Sequence, residues 1–131
     1  MKCVVVTPEK TVLTVESKFV VLPLIDGEYG VLPGHAPLVA RLGAGELRMT
    51  ETDDRQTNFY VEGGFAEVLD DTVALLSMYA VPAAELDLAA AESQLEEVLA
   101  RPSHTPELAR IREEKLYYQR ARVRAAQKNK R

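Results

Sequence analysis

All seven glycines of this 131-residue chain lie at or before Gly64, and residues 85 to 131 contain none. Glycine weakens helix interiors and serves tight turns, so this one-sided distribution separates a turn-rich part from a part free to be helical. The turn-rich part carries β-branched and aromatic runs at Val4–Val6, Val12–Val15, Phe19–Leu22, Leu38–Leu42, Leu47–Thr50, Asn58–Val61, Phe65–Leu69 and Thr72–Leu76. Asp26-Gly27, Pro33-Gly34, Gly43-Ala44-Gly45, Asp53-Asp54 and Asp70-Asp71 punctuate them. Strands this closely spaced leave no room for crossover helices, and predict an antiparallel β-sandwich or barrel over residues 1–84.

Beyond Val81-Pro82 the residues become Ala, Leu, Glu, Gln, Arg and Lys, the strong helix formers. A first helix is expected from an N-cap at Asp87 to about Ala100, with Leu88, Ala91, Leu95, Val98 and Leu99 as its apolar stripe. Arg101-Pro102-Ser103-His104 interrupts it, because the residue before a proline avoids helical geometry. Thr105-Pro106-Glu107 then supplies an N-cap, a proline in the first turn and an acid near the helix start, predicting a second helix toward Ala126. On a helical wheel Tyr118 falls with Leu108, Ile111 and Ala125, and Tyr117 faces nearly the opposite way. The short connection makes residues 85–131 an antiparallel hairpin and the whole chain an α+β protein.

The net charge of −4 hides a steep gradient. Residues 1–84 hold 12 acids and 6 bases, residues 85–107 hold 6 acids and 1 base, and residues 108–131 hold 2 acids and 9 bases. The average argues against nucleic-acid binding by the chain as a whole, while the basic end suits an acidic partner. The longest apolar run, Phe19–Ile25, contains Pro23 and is far too short to span a bilayer. The start carries neither a signal-peptide nor a transit-peptide pattern, so a cytosolic location is expected. Cys3 stands alone in an apolar stretch, which favours a buried thiol.

Motifs for chemistry are absent. The chain has two distant histidines, His35 and His104, and no HExxH, CxxC, nucleophile elbow or P-loop. No metal site or cofactor is expected. Gly63-Gly64 between two strand runs reads as a bulge or tight turn. His35, in Pro33-Gly34-His35-Ala36-Pro37, reads as part of a stiff loop or a protein contact, and His104 as a solvated loop residue.

The segment Gly27-Glu28-Tyr29-Gly30-Val31-Leu32-Pro33-Gly34-His35-Ala36-Pro37-Leu38, followed by Gly45-Glu46-Leu47-Arg48, closely resembles the signature of the epsilon subunit of bacterial F-type ATP synthases, the counterpart of mitochondrial delta. Val6-Thr7-Pro8-Glu9-Lys10 and Phe59 to Val68 support the likeness, which extends over essentially the whole chain. The resemblance implies a sandwich of about ten strands followed by a two-helix hairpin, in a non-catalytic central-stalk subunit of a proton-translocating synthase. It implies that the sandwich binds the gamma subunit and the membrane rotor ring of c subunits. A loop carrying Glu28, Tyr29 and Gly30, with Gly34 and His35 close behind, would meet the ring. It further implies a hairpin that can reach the alpha/beta catalytic head, where Arg110, Arg112, Lys115, Arg120, Arg122 and Arg124 would meet acidic segments and block ATP hydrolysis. The implied location is peripheral, on the cytoplasmic side of the bacterial inner membrane, without membrane insertion.

Some members of that family bind ATP through a first-helix motif resembling Ile/Leu-Asp-x-x-Arg-Ala. Here Leu86-Asp87-Leu88-Ala89-Ala90-Ala91 keeps Leu86, Asp87 and the final alanine but places Ala90 where the arginine belongs. Without that cation a charge-assisted phosphate contact is missing, and weak or absent ATP binding is expected. A nucleotide-sensing regulatory module remains the alternative function, with a nucleic-acid binder using the basic end as a third possibility.

Overall fold

The structure, a computed structural model, describes residues 1–129; the basic positions Lys130 and Arg131 lie outside the described residues. Nine strands come first: β1 (Lys2–Thr7), β2 (Lys10–Leu24), β3 (Gly27–Val31), β4 (Leu38–Arg41), β5 (Ala44–Glu51), β6 (Gln56–Glu62), β7 (Phe65–Leu69), β8 (Thr72–Leu76) and β9 (Tyr79–Pro82). A 3-10 turn at Ala83–Glu85 leads to α1 (Leu88–Leu99) and α2 (Pro106–Lys128). The chain divides into two units between Pro82 and Ala83, two residues before the boundary expected from the change of residue types.

The sandwich unit is built on the length of β2. Its first half pairs antiparallel with β1 and its second half with β3 and β5. The two runs Val12–Val15 and Phe19–Leu22 are thus one strand, and the register shift between Ser17 and Phe19 is the bulge that lets it pass from one sheet to the other. The first sheet runs β4-β7-β8-β1-β2 and the second β3-β2-β5-β6-β9. β1 and β8 run parallel; the other named pairs are antiparallel.

Alternation decides which side chains face inward. In β8, Val73 and Leu75 are buried, and in β7 Ala66 and Val68, because successive side chains point to opposite faces. They meet Cys3, Val5, Val20, Leu22, Val31, Leu42, Leu47, Met49, Phe59 and Val61 in one apolar core. Cys3 is fully buried there, and burial pushes its thiol up to about 12 from an ordinary value of 9.0.

Between β6 and β7 the turn holds Gly63 and Gly64 at φ +64° and +95°. A Cβ on Gly64 would sit 1.8 Å from the Leu76 carbonyl oxygen, so the position admits no side chain at all. The fully buried Ser77 hydroxyl then staples the passage from β8 to β9: its single proton lies between the Tyr79 carbonyl at 2.8 Å and the Glu62 carbonyl at 3.0 Å, and its oxygen accepts from the Glu62 amide at 3.3 Å and the Tyr79 amide at 3.4 Å.

In the hairpin both expected caps are present. The Asp87 carboxylate accepts from the Ala90 amide at 3.2 Å, and the Thr105 hydroxyl from the Leu108 amide at 3.1 Å. On α1, Ala91 and Val98 are buried and Leu99 is exposed. On α2, Leu116, Ala121, Ala125 and Ala126 are buried. The wheel places Leu108 and Tyr118 correctly, as half-buried, but Ile111 is exposed, since the inward stripe passes through Ala109, Arg112 and Leu116 instead.

Candidate functional site

Two surfaces collect most of the residues singled out above, and a third emerges only from the fold. The first is the end of the sandwich formed by β3 and the loop after it. Glu28, Tyr29 and Gly30 are expected on a loop by resemblance, but they lie in β3, hydrogen-bonded along β2 with Tyr29 opposite Leu22. Gly27, at φ +129°, makes the reversal that returns the chain as a strand. Gly30 lies tight against Phe19: a Cβ there would come within 3.1 Å of the ring, which would have to give by a few tenths of an ångström. Glu28 forms an ion pair with Arg48 of β5.

Residues 32–37 form the loop proper, with Gly34 at φ +83° and a 3.2 Å bond from the His35 amide to the Leu32 carbonyl. The structure brings His35 and Tyr29 together: the tyrosine hydroxyl is 2.8 Å from His35 Nε2 and the rings meet edge to face, 5.6 Å between centroids. Because His35 Nδ1 faces the Ala36 carbonyl, an acceptor only, Nδ1 donates, and Nε2 shares its hydrogen bond with the tyrosine hydroxyl, which can accept or donate. Both ring nitrogens are engaged, so this histidine serves loop geometry and is not a free general base.

The second surface is the outer face of the first sheet, which sequence reasoning did not single out. Register sets Phe65 beside Leu76 and Leu76 beside Val6, with Val39, Glu67, Ala74 and Val4 forming the next row. Val39 is 68% exposed, Phe65 53% and Leu76 51%, and they line a shallow groove with Glu67 as its charge. The available signal was alternation: β7 and β8 carry apolar side chains on both faces, whereas a sheet with one wet face shows them on one.

The third surface is the outward side of α2. Arg110, Glu113, Tyr117, Arg120 and Arg124 follow at spacings of 3, 4, 3 and 4, which align them on one helix face. Glu113, Tyr117, Arg120 and Arg124 line a groove there, and Tyr117 is 44% exposed. Arg110, Lys115, Arg120 and Arg124 are exposed, and none of the four makes an ion pair among the described residues. Arg112 is used differently, its guanidinium donating to the Leu99 carbonyl at the end of α1 at 3.1 Å, and Arg122 is half-buried with a partner. The six basic residues therefore divide into four that face outward and two engaged within the protein.

At the start of α1, Asp87 spends a carboxylate oxygen on its capping bond, Leu86 is half-buried, and Ala90 is exposed. Among the described residues no three His, Cys, Asp or Glu side chains converge as a metal site would require. Nor is any helix long and apolar enough to cross a membrane.

Comparison with known proteins agrees with this architecture. Residues 1–83 match the family described as "ATP synthase, Delta/Epsilon chain, beta-sandwich domain". The ATP synthase epsilon chain of Rhodopirellula baltica is 45% identical over 126 residues, covering 96% of this chain and 98% of that one. The epsilon chain of Bordetella avium is 39% identical over 113 residues, covering 84% and 80%. Among solved structures, a chain of the Euglena gracilis mitochondrial ATP synthase (OSCP/F1/c-ring) superposes with a TM-score of 0.82 at 26% identity, covering 95% of this chain and 79% of that chain. A chain from the central stalk and c-ring of the Tetrahymena thermophila enzyme shares the fold, with a TM-score of 0.70 at 18% identity and 96% coverage of each chain. The chain belongs to the delta/epsilon family of ATP synthase subunits.

Proposed function

We propose that this chain is a non-catalytic central-stalk subunit of a proton-driven F-type ATP synthase. Its sandwich couples the gamma subunit to the membrane rotor ring, and its hairpin restrains ATP hydrolysis at the alpha/beta head. The observation that carries the docking role is the outer face of the first sheet. Val39, Phe65 and Leu76 present a contiguous apolar surface to solvent, and a face of that kind marks a place where another protein sits. Gamma is the occupant we assign to it.

The ring contact is assigned to Glu28, Tyr29, Gly30, Gly34 and His35. Support comes from the stiffness of that end, where a paired strand, two prolines and the Tyr29–His35 bond limit compliance in an element that transmits torque. Restraint of hydrolysis is assigned to the outward side of α2, whose Arg110, Lys115, Arg120 and Arg124, without an ion pair among the described residues, suit acidic segments of the head. Arg112 and Arg122 would support that helix from within. In this reading the chain works as a peripheral protein on the cytoplasmic side of the bacterial inner membrane, and needs no cofactor.

Co-purification with gamma tests the docking role. The double change Phe65→Glu, Leu76→Glu is expected to weaken the complex by about 30-fold or more, the effect of losing an interface hot spot. Unfolding of the free chain should cost only about 1 kcal/mol, since both side chains are half exposed and what is lost is one cross-strand pair, replaced by two facing carboxylates. Undiminished binding would place gamma on another face.

A further inference from the structure

The loop at residues 32–37 joins β3 of the second sheet to β4 of the first, and it is fastened once to each. Tyr29 of β3 holds His35 from the second sheet. From the first sheet the fastening is Asp71, in the turn between β7 and β8, whose Oδ1 accepts the Gly34 amide at 3.1 Å across 37 positions of sequence.

Asp70 and Asp71 form that turn at φ +51° and +58°. Two successive left-handed residues are the geometry of the tight hairpin turn for which Asn-Gly or Asp-Gly is the favoured pair. An aspartate at the second position strains the backbone where glycine would not, and strain of this kind persists where the side chain has work to do. The turn is also tied to β1, because the Lys2 amide donates to the Asp71 carbonyl at 3.2 Å. The other carboxylate oxygen lies 3.8 Å from the Met1 amino group. The carboxylate is therefore aimed at Gly34 from a fixed base.

We infer that Asp71 is a positioning residue that fixes the loop carrying Gly34 and His35 in the shape in which it meets the rotor ring. The inference rests on the ring-contact reading above. Asp71 need not touch the ring; it acts through the Gly34 amide, and Tyr29 performs the same service on the other side of the loop.

Two substitutions separate positioning from simple stability. Asp71→Gly turns the pair into Asp-Gly, which suits the turn better while removing the acceptor. Asp71→Asn tolerates left-handed geometry and keeps an acceptor oxygen. In the full chain, hydrogen exchange at the Gly34 amide is expected to quicken about tenfold in Asp71→Gly and to stay near wild type in Asp71→Asn, with the melting temperature of Asp71→Gly equal to or above wild type. In the assembled synthase, proton pumping per ATP hydrolysed is expected to fall several-fold with Asp71→Gly and to be retained with Asp71→Asn.

Unchanged Gly34 exchange in Asp71→Gly overturns the positioning role whatever pumping does. Faster exchange with intact pumping means the tether exists but the loop is not the ring contact; that outcome overturns the ring-contact reading and, with it, this role. A fall in melting temperature that parallels the pumping loss in both variants would reduce Asp71 to a structural residue.

Discussion

Between the sheets of the sandwich, Leu22, Leu47, Met49, Leu75 and a set of valines close into one core with almost no exposed surface. In the hairpin, the buried positions are Ala91 and Val98 on α1 and Leu116, Ala121, Ala125 and Ala126 on α2, four of the six being alanine. Large interlocking side chains make a core that resists rearrangement, since close packing turns small shifts into clashes or voids. Alanines bury little area each, and helices of this length are weak without tertiary support. The contrast matches the assigned work: a scaffold that must transmit force, and an arm whose charged face is offered to changing partners.

If that contrast is right, the sandwich should be far less forgiving of change than the hairpin. The largest effect is expected at Gly64. Its Cβ would meet the Leu76 carbonyl oxygen at 1.8 Å with the backbone held at φ +95°, so Gly64→Ala should cost about 4 kcal/mol or more, or prevent folding. Urea unfolding followed by tyrosine fluorescence reads this directly.

A second expectation concerns pH and Cys3. The folded state keeps its thiol protonated up to about 12, whereas in the unfolded chain it titrates near 9.0. Between those values the folded state holds a proton that the unfolded chain releases, so the thiol's contribution to stability is complete below pH 9 and is lost as pH rises toward 12. Comparing the pH dependence of unfolding with that of Cys3→Ala isolates this loss. Identical alkaline slopes would contradict the burial account.

The smallest effect belongs to the hairpin. Thr105→Ala removes the cap on the Leu108 amide and should cost about 1 kcal/mol, seen as faster hydrogen exchange in the first turn of α2 while the amides of β5 and β6 stay protected. Loss of sandwich protection in this variant would show that the two units do not differ in the way described.

Much of this was legible in the residue order. Glycine distribution and the Asp87 and Thr105 caps located the change from strand to helix, because these signals act within one turn of chain. β3 and β9 escaped. β3 carries two glycines that read as turn, and β9 is four residues long and follows the buried Ser77, so neither shows a clear alternating pattern. The sandwich has nine strands where the resemblance implied about ten. The docking face needed pairing registers, since only the alignment of β1, β4, β7 and β8 puts Phe65 beside Leu76 and Val39 in the adjoining row. The Asp71–Gly34 bond joins residues far apart in sequence, and no local pattern announces it. In the basic helix, the wheel set Tyr117 away from the apolar side, but the six basic residues were read as one group, because the Leu99 carbonyl that engages Arg112 belongs to the other helix.

Assembly is assigned to the sandwich and restraint of hydrolysis to the hairpin. The most direct test is the ATP hydrolysis rate of the synthase assembled with a chain that ends after Pro82, alongside the amount of that chain retained in the complex. Full retention with hydrolysis raised several-fold is expected. Loss of the shortened chain from the complex, or full retention with an unchanged rate, would contradict it.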